Sequence, residues 1–571
     1  MKFIKRESNL QKNEILAIAK SNVEEWQKIT GEEIKPMADD ELILNFAYII
    51  GFGTAGLRGK MLPGPANMNN EIVSLATRSL AELVIEAKGE KSGVVIACDS
   101  RNNSEEFSKL AASVLAAAGV KTYLFDSLRP TPELSFAIRH LGCKAGINIT
   151  ASHNTKEYNG YKVYWEDGAQ LPPVEAKKVA DKFYEIDIAS IPKADFDSAV
   201  KSGVISIIGK EVDDAYLKNV LAQSKSPDMI KKNSDKLHLL YTPLHGAGYR
   251  LVPEALALAG FKNVKIVESQ GTPDGNFPTV EKPNPQFIAA FNEGIKCGDD
   301  ADLIIATDPD ADRMGIALKN KDGKFEALTG NQIALVIIDY IIKSKAIPEN
   351  PAMVKSIVSS ELAAVICRKN NIEVFNVYTG FKYIGEKIKE FEKSGEYNFL
   401  FGFEESYGYL TGTYARDKDG VAASLIAAEA ALYAKLQGKT LFDVLDDIYE
   451  EYGFWGEYWG ETVITAPNFA EEMASIMKKL RLDPPHDISG LKVVKITDYE
   501  SGVTRDVMTG ESEALPFPSE NVLTYILDDT SSVTIRPSGT EPKIKLYFFI
   551  CSESKEDSLE KLEKLKSFFN F

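Results

Sequence analysis

Asp308, Asp310 and Asp312 occupy alternate positions in DLIIATDPDADRMGIAL, residues 302–318. In an extended or gently curved loop alternate side chains share a face, so the three carboxylates converge on one point. Converging carboxylates repel unless a divalent cation sits between them, and an all-oxygen donor set suits Mg²⁺, which keeps room for a substrate phosphate. A calcium-binding EF-hand loop needs glycine at its sixth position and glutamate at its twelfth. Arg313 and Lys319 stand there instead, which removes that reading. A solvated acidic turn is the plain alternative; the apolar strand before the motif and MGIAL after it argue against it.

A second polar loop leaves an apolar strand in GINITASHNTKEYNGYKVYW, residues 146–165, and offers Ser152 as an exposed nucleophile. Neighbours in extended chain point to opposite sides, so His153 is expected to position a backbone or phosphate oxygen rather than to activate Ser152. Asn159-Gly160 reads as a turn. In RPSGTEPKIKLY, from Arg536, a planar guanidinium, the hydroxyls of Ser538 and Thr540, the bare backbone of Gly539 and the charge of Lys543 together suit a phosphate, unless the segment is an ordinary hairpin turn. Glu404 and Ser406 in FGFEESYGYLTG are spaced to grip vicinal sugar hydroxyls, with helix capping by Glu405 or Ser406 as the alternative. The glycine-dense run from Gly51 carries Arg58, suited to a phosphoryl group, and TGFKYI, from Thr379, is a further Gly-Lys loop.

These loops need rigid elements behind them. Gly93–Asp126 reads as strand, helix and strand, and Lys236–Ser269 and Ala352–Gly380 repeat the plan. Each implies a parallel pair joined by a right-handed crossover. The expected fold is therefore three similar α/β domains with mixed sheets. A C-terminal α+β domain follows, since VLTYILDDTSSVTIRPSGTEPKIKLYFFICSES reads as strands and turns ahead of an amphipathic helix. The expected divisions are 1–207, 208–325, 326–455 and 456–571.

Composition bounds the chemistry. A net charge of −17 disfavours nucleic acid as a partner and requires any phosphate site to be a local basic cluster. The five cysteines are widely spaced and never form CxxC, which fits a reducing cytoplasm better than a disulfide framework or a zinc site. The amphipathic N-terminus lacks the apolar core of a secretory signal, and no apolar run is long enough to suggest a membrane span.

Taken in order from Gly51 to Tyr547, these segments resemble the α-D-phosphohexomutase family of phosphoglucomutases, phosphomannomutases and relatives. TASHN with NGYK, DPDADR, GFEESYGY and RPSGTEPK carry the resemblance. The FGTAGLRG start and the chain length resemble the subgroup of bacterial α-phosphoglucomutases and animal phosphopentomutase-like enzymes. The resemblance implies a heart-shaped, four-domain protein with one loop from each domain in a central cleft. It makes Ser152 the phosphorylated serine and a metal ligand, with Asp308, Asp310 and Asp312 holding one Mg²⁺ per site. Lys162 becomes the general acid/base, with Arg58 and His153 beside the reacting phosphate. Glu404 and Ser406 grip the sugar, Thr379, Gly380, Lys382 and Arg313 contact substrate, and Arg536, Ser538, Gly539, Thr540 and Lys543 hold its non-reacting phosphate. The implied reaction interconverts glucose 1-phosphate and glucose 6-phosphate through glucose 1,6-bisphosphate, which also primes the serine, in a monomer or homodimer. Mannose and pentose phosphates are alternative substrates. A phosphatase using Asp308 as nucleophile is a rival of another class; an idle sugar-phosphate binder is a third, against which the intact Ser152, aspartates and Lys162 argue. One departure is Thr155, where relatives often carry proline.

Overall fold

The computed structural model describes residues 10–53, 56–464, 469–515, 519–538 and 543–569. Its strands form four sheets. Strands β1 (Leu57–Lys60), β2 (Val94–Cys98), β3 (Thr122–Phe125), β4 (Ala145–Ile149), β5 (Tyr158–Trp165) and β6 (Ile205–Ile208) pair in the order β1-β5-β4-β2-β3-β6. Strands β7 (Leu239–Thr242), β8 (Val264–Ile266), β9 (Leu303–Thr307), β10 (Met314–Lys319) and β11 (Phe325–Ala327) pair as β11-β10-β9-β7-β8. Strands β12 (Pro351–Ser356), β13 (Glu373–Val377), β14 (Asn398–Glu404) and β15 (Gly408–Leu410) pair as β13-β12-β14-β15.

One design recurs in all three. A central strand runs parallel to its two neighbours, as β2 does to β3 and β4, β7 to β8 and β9, and β12 to β13 and β14. The last of each trio then turns back into an antiparallel partner, β5, β10 or β15. Helices Ser104–Ala117, Gly248–Ala259 and Glu361–Lys369 make the first crossovers. Covered by helices, β2, β4, β7 and β9 are buried throughout, which is why they read as unbroken apolar runs rather than alternating ones. The three expected strand–helix–strand units are these trios. Helix Gly420–Leu436 is apolar almost all round and correspondingly buried, packing against the helices of the second and third sheets.

The fourth sheet is antiparallel and has eight strands: β16 (Phe454–Val463), β17 (Asp487–Ile488), β18 (Leu491–Asp498), β19 (Val503–Asp506), β20 (Ser512–Ala514), β21 (Leu523–Leu527), β22 (Ser532–Pro537) and β23 (Lys543–Ser552). Edge strand β16 pairs with β23 along its whole length, from Phe454–Ser552 to Val463–Lys543. Alternation decides the faces. Ile544, Leu546, Phe548 and Ile550 join a core beneath helices Phe469–Leu482 and Lys555–Phe568, which turns Lys545, Tyr547 and Phe549 to the other side. The divisions expected at 207, 325 and 455 fall inside β6, β11 and β16. Asn159 and Gly160 lie within β5 rather than in a turn, opposite Gly59 and Arg58. A side chain on Gly160 would meet the carbonyl oxygens of Thr150 at 2.5 Å and Leu57 at 2.8 Å, so glycine is needed there for close strand approach. Among the described residues no helix is long and apolar enough to cross a membrane.

Candidate active site

The link from each trio's last strand to its antiparallel partner carries the residues singled out by sequence: Ser152 and His153 between β4 and β5, Asp308–Asp312 between β9 and β10, Glu405 and Ser406 between β14 and β15. Each link also holds one non-glycine residue in the left-handed region: Ser152 at φ 52°, Ala311 at 50° and Tyr407 at 68°. Such conformations cost about 1 kcal/mol or more and persist where surrounding contacts enforce them.

At Ser152 the enforcing contact is Arg101. Its buried guanidinium donates to the carbonyls of Ser152 and Asn154, and to those of Thr155 at 2.9 Å and Tyr158 at 3.0 Å. Asp99 steadies it through an ion pair of 3.2 Å and also accepts from the Thr150 hydroxyl at 2.6 Å; Thr150 in turn accepts from the Ser152 N–H at 2.8 Å. The clamp holds carbonyls, which any residue at 155 provides, so threonine in place of proline loses none of it. The left-handed turn corrects the expected placing of His153. It brings Nδ1 to 3.1 Å from Ser152 Oγ instead of to the opposite side. Burial, with the nearby Arg313 and Arg58, holds the imidazole well below its ordinary pKa, so this neighbour is neutral.

Ser152 Oγ also donates to Asp308 Oδ2 at 2.7 Å, which joins the serine to the acidic loop. One carboxylate oxygen from each of Asp308, Asp310 and Asp312 lies within 4.8 Å of the others, and all three side chains are buried. Asp310 Oδ2 accepts from Thr131 at 2.8 Å and from Lys162 at 2.7 Å; Asp312 Oδ2 lies 3.5 Å from Lys162 and 3.0 Å from Lys418. Burial and the flanking aspartates push the Asp308 carboxyl far above the carboxylate range. Burial acts the same way on Asp310, but the Lys162 ammonium outweighs it and holds Asp310 ionised. Burial disfavours the Lys162 ammonium in turn, yet Asp310 and Asp312 keep its pKa above the ordinary lysine value. Asp310 Oδ1 and Asp312 Oδ1 are buried without a hydrogen-bond partner. Two orphaned carboxylate oxygens beside Asp308 and a serine hydroxyl form a hard, all-oxygen donor set that fits Mg²⁺.

His153 and Arg313, each next to a residue of the cluster, line a cavity of about 520 Å³ walled by loops and strands of all four sheets. His153 comes from the first, Arg313 from the second, Thr379, Glu405 and Ser406 from the third, and Arg536, Lys545 and Tyr547 from the fourth. Thr379 Oγ1 and Arg313 Nε are buried there without partners. Glu404 is buried behind this wall and accepts from the Gly380 N–H at 2.6 Å. Burial raises its carboxyl to about 7 despite the pull of Lys418. Glu405 caps no helix; its Oε2 accepts from the hydroxyls of Ser356 and Ser359. Arg58, on β1, reaches the same loop as Ser152, donating to Asn154 Oδ1 at 3.1 Å. Lys382 lies 4.8 Å from the Tyr383 ring and Lys543 pairs with Glu461 at 3.0 Å; neither lines the cavity, whereas Lys545, next but one along β23, does. The Ser538 N–H donates to the Lys543 carbonyl at 2.9 Å, and Gly539 and Thr540 lie outside the described residues. Arg101, Lys418 and Lys545 are the site residues that sequence reasoning missed. Only Arg101, in a polar loop directly after an apolar strand, carried a local signal.

The α/β/α domains of phosphoglucomutase/phosphomannomutase match here in succession: domain I over residues 50–189, domain II over 214–323 and domain III over 329–452. Together with the site geometry, these matches make the chain a member of the phosphoglucomutase/phosphomannomutase family. A phosphoglucomutase of Staphylococcus saprophyticus is 37% identical over 92% of this chain and 95% of its own, and one of Staphylococcus aureus is 36% identical over 92% and 94%. Among solved structures, the open form of the Paramecium phosphoglucomutase parafusin shares the fold with a TM-score of 0.69. It is 18% identical, over 91% of this chain and 94% of its own. A phosphoglucomutase/phosphomannomutase family protein of Burkholderia thailandensis shares the fold at 0.64 and 18%, over 90% and 95%.

Proposed function

We propose that this chain is a phosphoglucomutase that interconverts glucose 1-phosphate and glucose 6-phosphate through phospho-Ser152 and glucose 1,6-bisphosphate. One observation carries the reading: Ser152 Oγ sits 2.7 Å from Asp308 in a three-carboxylate cluster, and its neighbour His153 lines a cavity that also holds Arg536 and Lys545. The serine and acidic loop suit a reacting phosphate, and Arg536 and Lys545 suit a second phosphate carried by the same sugar.

In the first half-reaction a sugar hydroxyl attacks the phosphorus of phospho-Ser152, and the bond to Ser152 Oγ breaks. The seryl oxygen needs a proton and the sugar hydroxyl must lose one. The Lys162 ammonium gives its proton to the leaving seryl oxygen and recovers one from the sugar hydroxyl, and neutral His153 orients Oγ through Nδ1. Arg58 offsets charge on the transferring group. Asp308, Asp310, Asp312 and Ser152 would hold Mg²⁺, which supplies charge neutralisation at the phosphoryl oxygens. Glu404 and Ser406 grip the sugar, with Thr379, Gly380 and Arg313 around it. Arg536 and Lys545 take the distal phosphate, and Ser538, Gly539 and Thr540, which follow Arg536 in sequence, are assigned to it by the family resemblance. The bisphosphate then reorients, and Ser152 takes back the other phosphoryl group. One chain contributes every named group, so a monomer suffices, and the five unpaired cysteines suit the cytoplasm.

The substrate is tested by comparing kcat/KM for the 1-phosphates of glucose, mannose, ribose and deoxyribose with the bisphosphate present. Glucose 1-phosphate is expected to lead by at least about tenfold, the scale set by one or two discriminating contacts. A lead by mannose or a pentose phosphate would transfer the assignment to that sugar.

A further inference from the structure

The polar cavity contains an apolar feature that neither the phosphate chemistry nor the metal site uses. Trp459 is 52% exposed and Phe287 43% exposed, and both line the cavity. They come from separate parts of the molecule. Trp459 stands on edge strand β16, opposite Tyr547, and Phe287 precedes the short helical turn Ile288–Phe291 of the second sheet's domain. Trp459 shares its strand face with Glu457 and Glu461, and its register partner Tyr547 lines the cavity, so the indole belongs to the wall rather than to the core beneath the sheet. Single exposed aromatics are ordinary on a protein surface; two in the wall of one sugar-phosphate cavity are not explained by packing.

A pyranose ring presents C–H groups on both faces, and an indole face accepts them without dictating which hydroxyls lie around them. Such a contact tolerates a sugar turned end for end, which hydrogen bonds to particular hydroxyls do not. The reaction described above needs this property, because the bisphosphate must reorient between its half-reactions without leaving. We propose that Trp459, with Phe287, is an aromatic binding platform that retains the sugar ring of the bisphosphate while it turns. This inference rests on the mutase reading and adds to it the residues that keep the intermediate bound.

The experiment uses the full chain. In a Trp455→Phe background, which removes the other tryptophan of β16, titration with glucose 1,6-bisphosphate is expected to change the tryptophan emission, and adding Trp459→Phe is expected to abolish that change, since Trp26 and Trp165 are buried away from the cavity wall. During turnover of glucose 1-phosphate, Trp459→Ala is expected to release free bisphosphate roughly fivefold more often per turnover, the scale of one aromatic contact, and Trp459→Phe is expected to restore most of the retention. The position is exposed, so both variants should fold, which their circular dichroism and thermal transitions check. An emission change that survives the added Trp459→Phe would overturn the contact, and wild-type retention in Trp459→Ala would overturn the role. A wild type without mutase turnover would sink the underlying reading instead; normal wild-type turnover with an indifferent Trp459→Ala would sink this inference alone.

Discussion

Glu404 titrates near neutrality because it is buried, and its raised pKa of about 7 has a definite consequence. The folded protein keeps the carboxyl protonated up to that pH and ionised above it. An ionised carboxylate grips sugar hydroxyls about twice as strongly as a neutral group. KM for glucose 1-phosphate is therefore expected to rise several-fold as pH falls from 8 to 6, while Glu404→Gln gives a high KM that keeps only the smaller change due to the substrate phosphate, whose second pKa is about 6; a Gln variant with the wild-type profile would assign the titration elsewhere. At this scale the sequence was legible where spacing carries the signal. The aspartates at 308, 310 and 312 converge as their spacing suggested, although through a turn with Ala311 left-handed rather than through extended alternation. It was not legible where one dihedral decides. The left-handed φ at Ser152 makes His153, expected to position a backbone or phosphate oxygen, a hydrogen-bond neighbour of Oγ itself. Lys418 meets Asp312 at 3.0 Å from more than a hundred residues away, a contact that no local pattern encodes.

The strand-to-strand links carry the site because three sheets repeat one topology, and each link is braced from behind. The brace for the acidic loop is the turn after β7. Leu244 and His245 are both left-handed there, and Gly246 packs so closely that a Cβ would lie 2.4 Å from Pro309 Cα, between Asp308 and Asp310. The following Ala247 N–H donates to the Pro309 carbonyl at 2.7 Å. Gly246→Ala must push Pro309 and spread the carboxylates. It is expected to destabilise the fold by about 1–3 kcal/mol, the usual cost of overpacking, and to raise the Mg²⁺ concentration for half-maximal activity about tenfold. Thermal unfolding and a Mg²⁺ titration measure the two effects, and an unchanged Mg²⁺ requirement would show that the brace is not coupled to the site. The strand–helix–strand repetition was readable from apolar runs and turn residues. Its extension to the hairpin strand and the left-handed link was not, because β15 has only three residues and the dihedral that turns each link is set by packing rather than by a local pattern. The same limit applies to β23, where the sequence suggested Lys543 and the strand presents Lys545 to the cavity.

Over the whole molecule, a chain of net charge −17 reserves Arg313, Arg536 and Lys545 for one cavity. Such a local basic wall within an acidic surface favours small anions and disfavours polyanions. Four sheets are needed to build that cavity, and the serine, the carboxylates, the sugar loop and the distal basic groups each come from a different one. This division of labour fits a reaction in which one sugar carries two phosphates and exchanges their roles. The central claim is that Ser152 is the phosphate carrier. It is tested most directly by mass spectrometry of the protein primed with glucose 1,6-bisphosphate and then given excess glucose 1-phosphate. The expected result is phosphate on Ser152 alone, discharged by the sugar with an equivalent gain of bisphosphate, and no labelling or turnover in Ser152→Ala. Phosphate on Asp308, or steady release of inorganic phosphate with Ser152 unmodified, would contradict it.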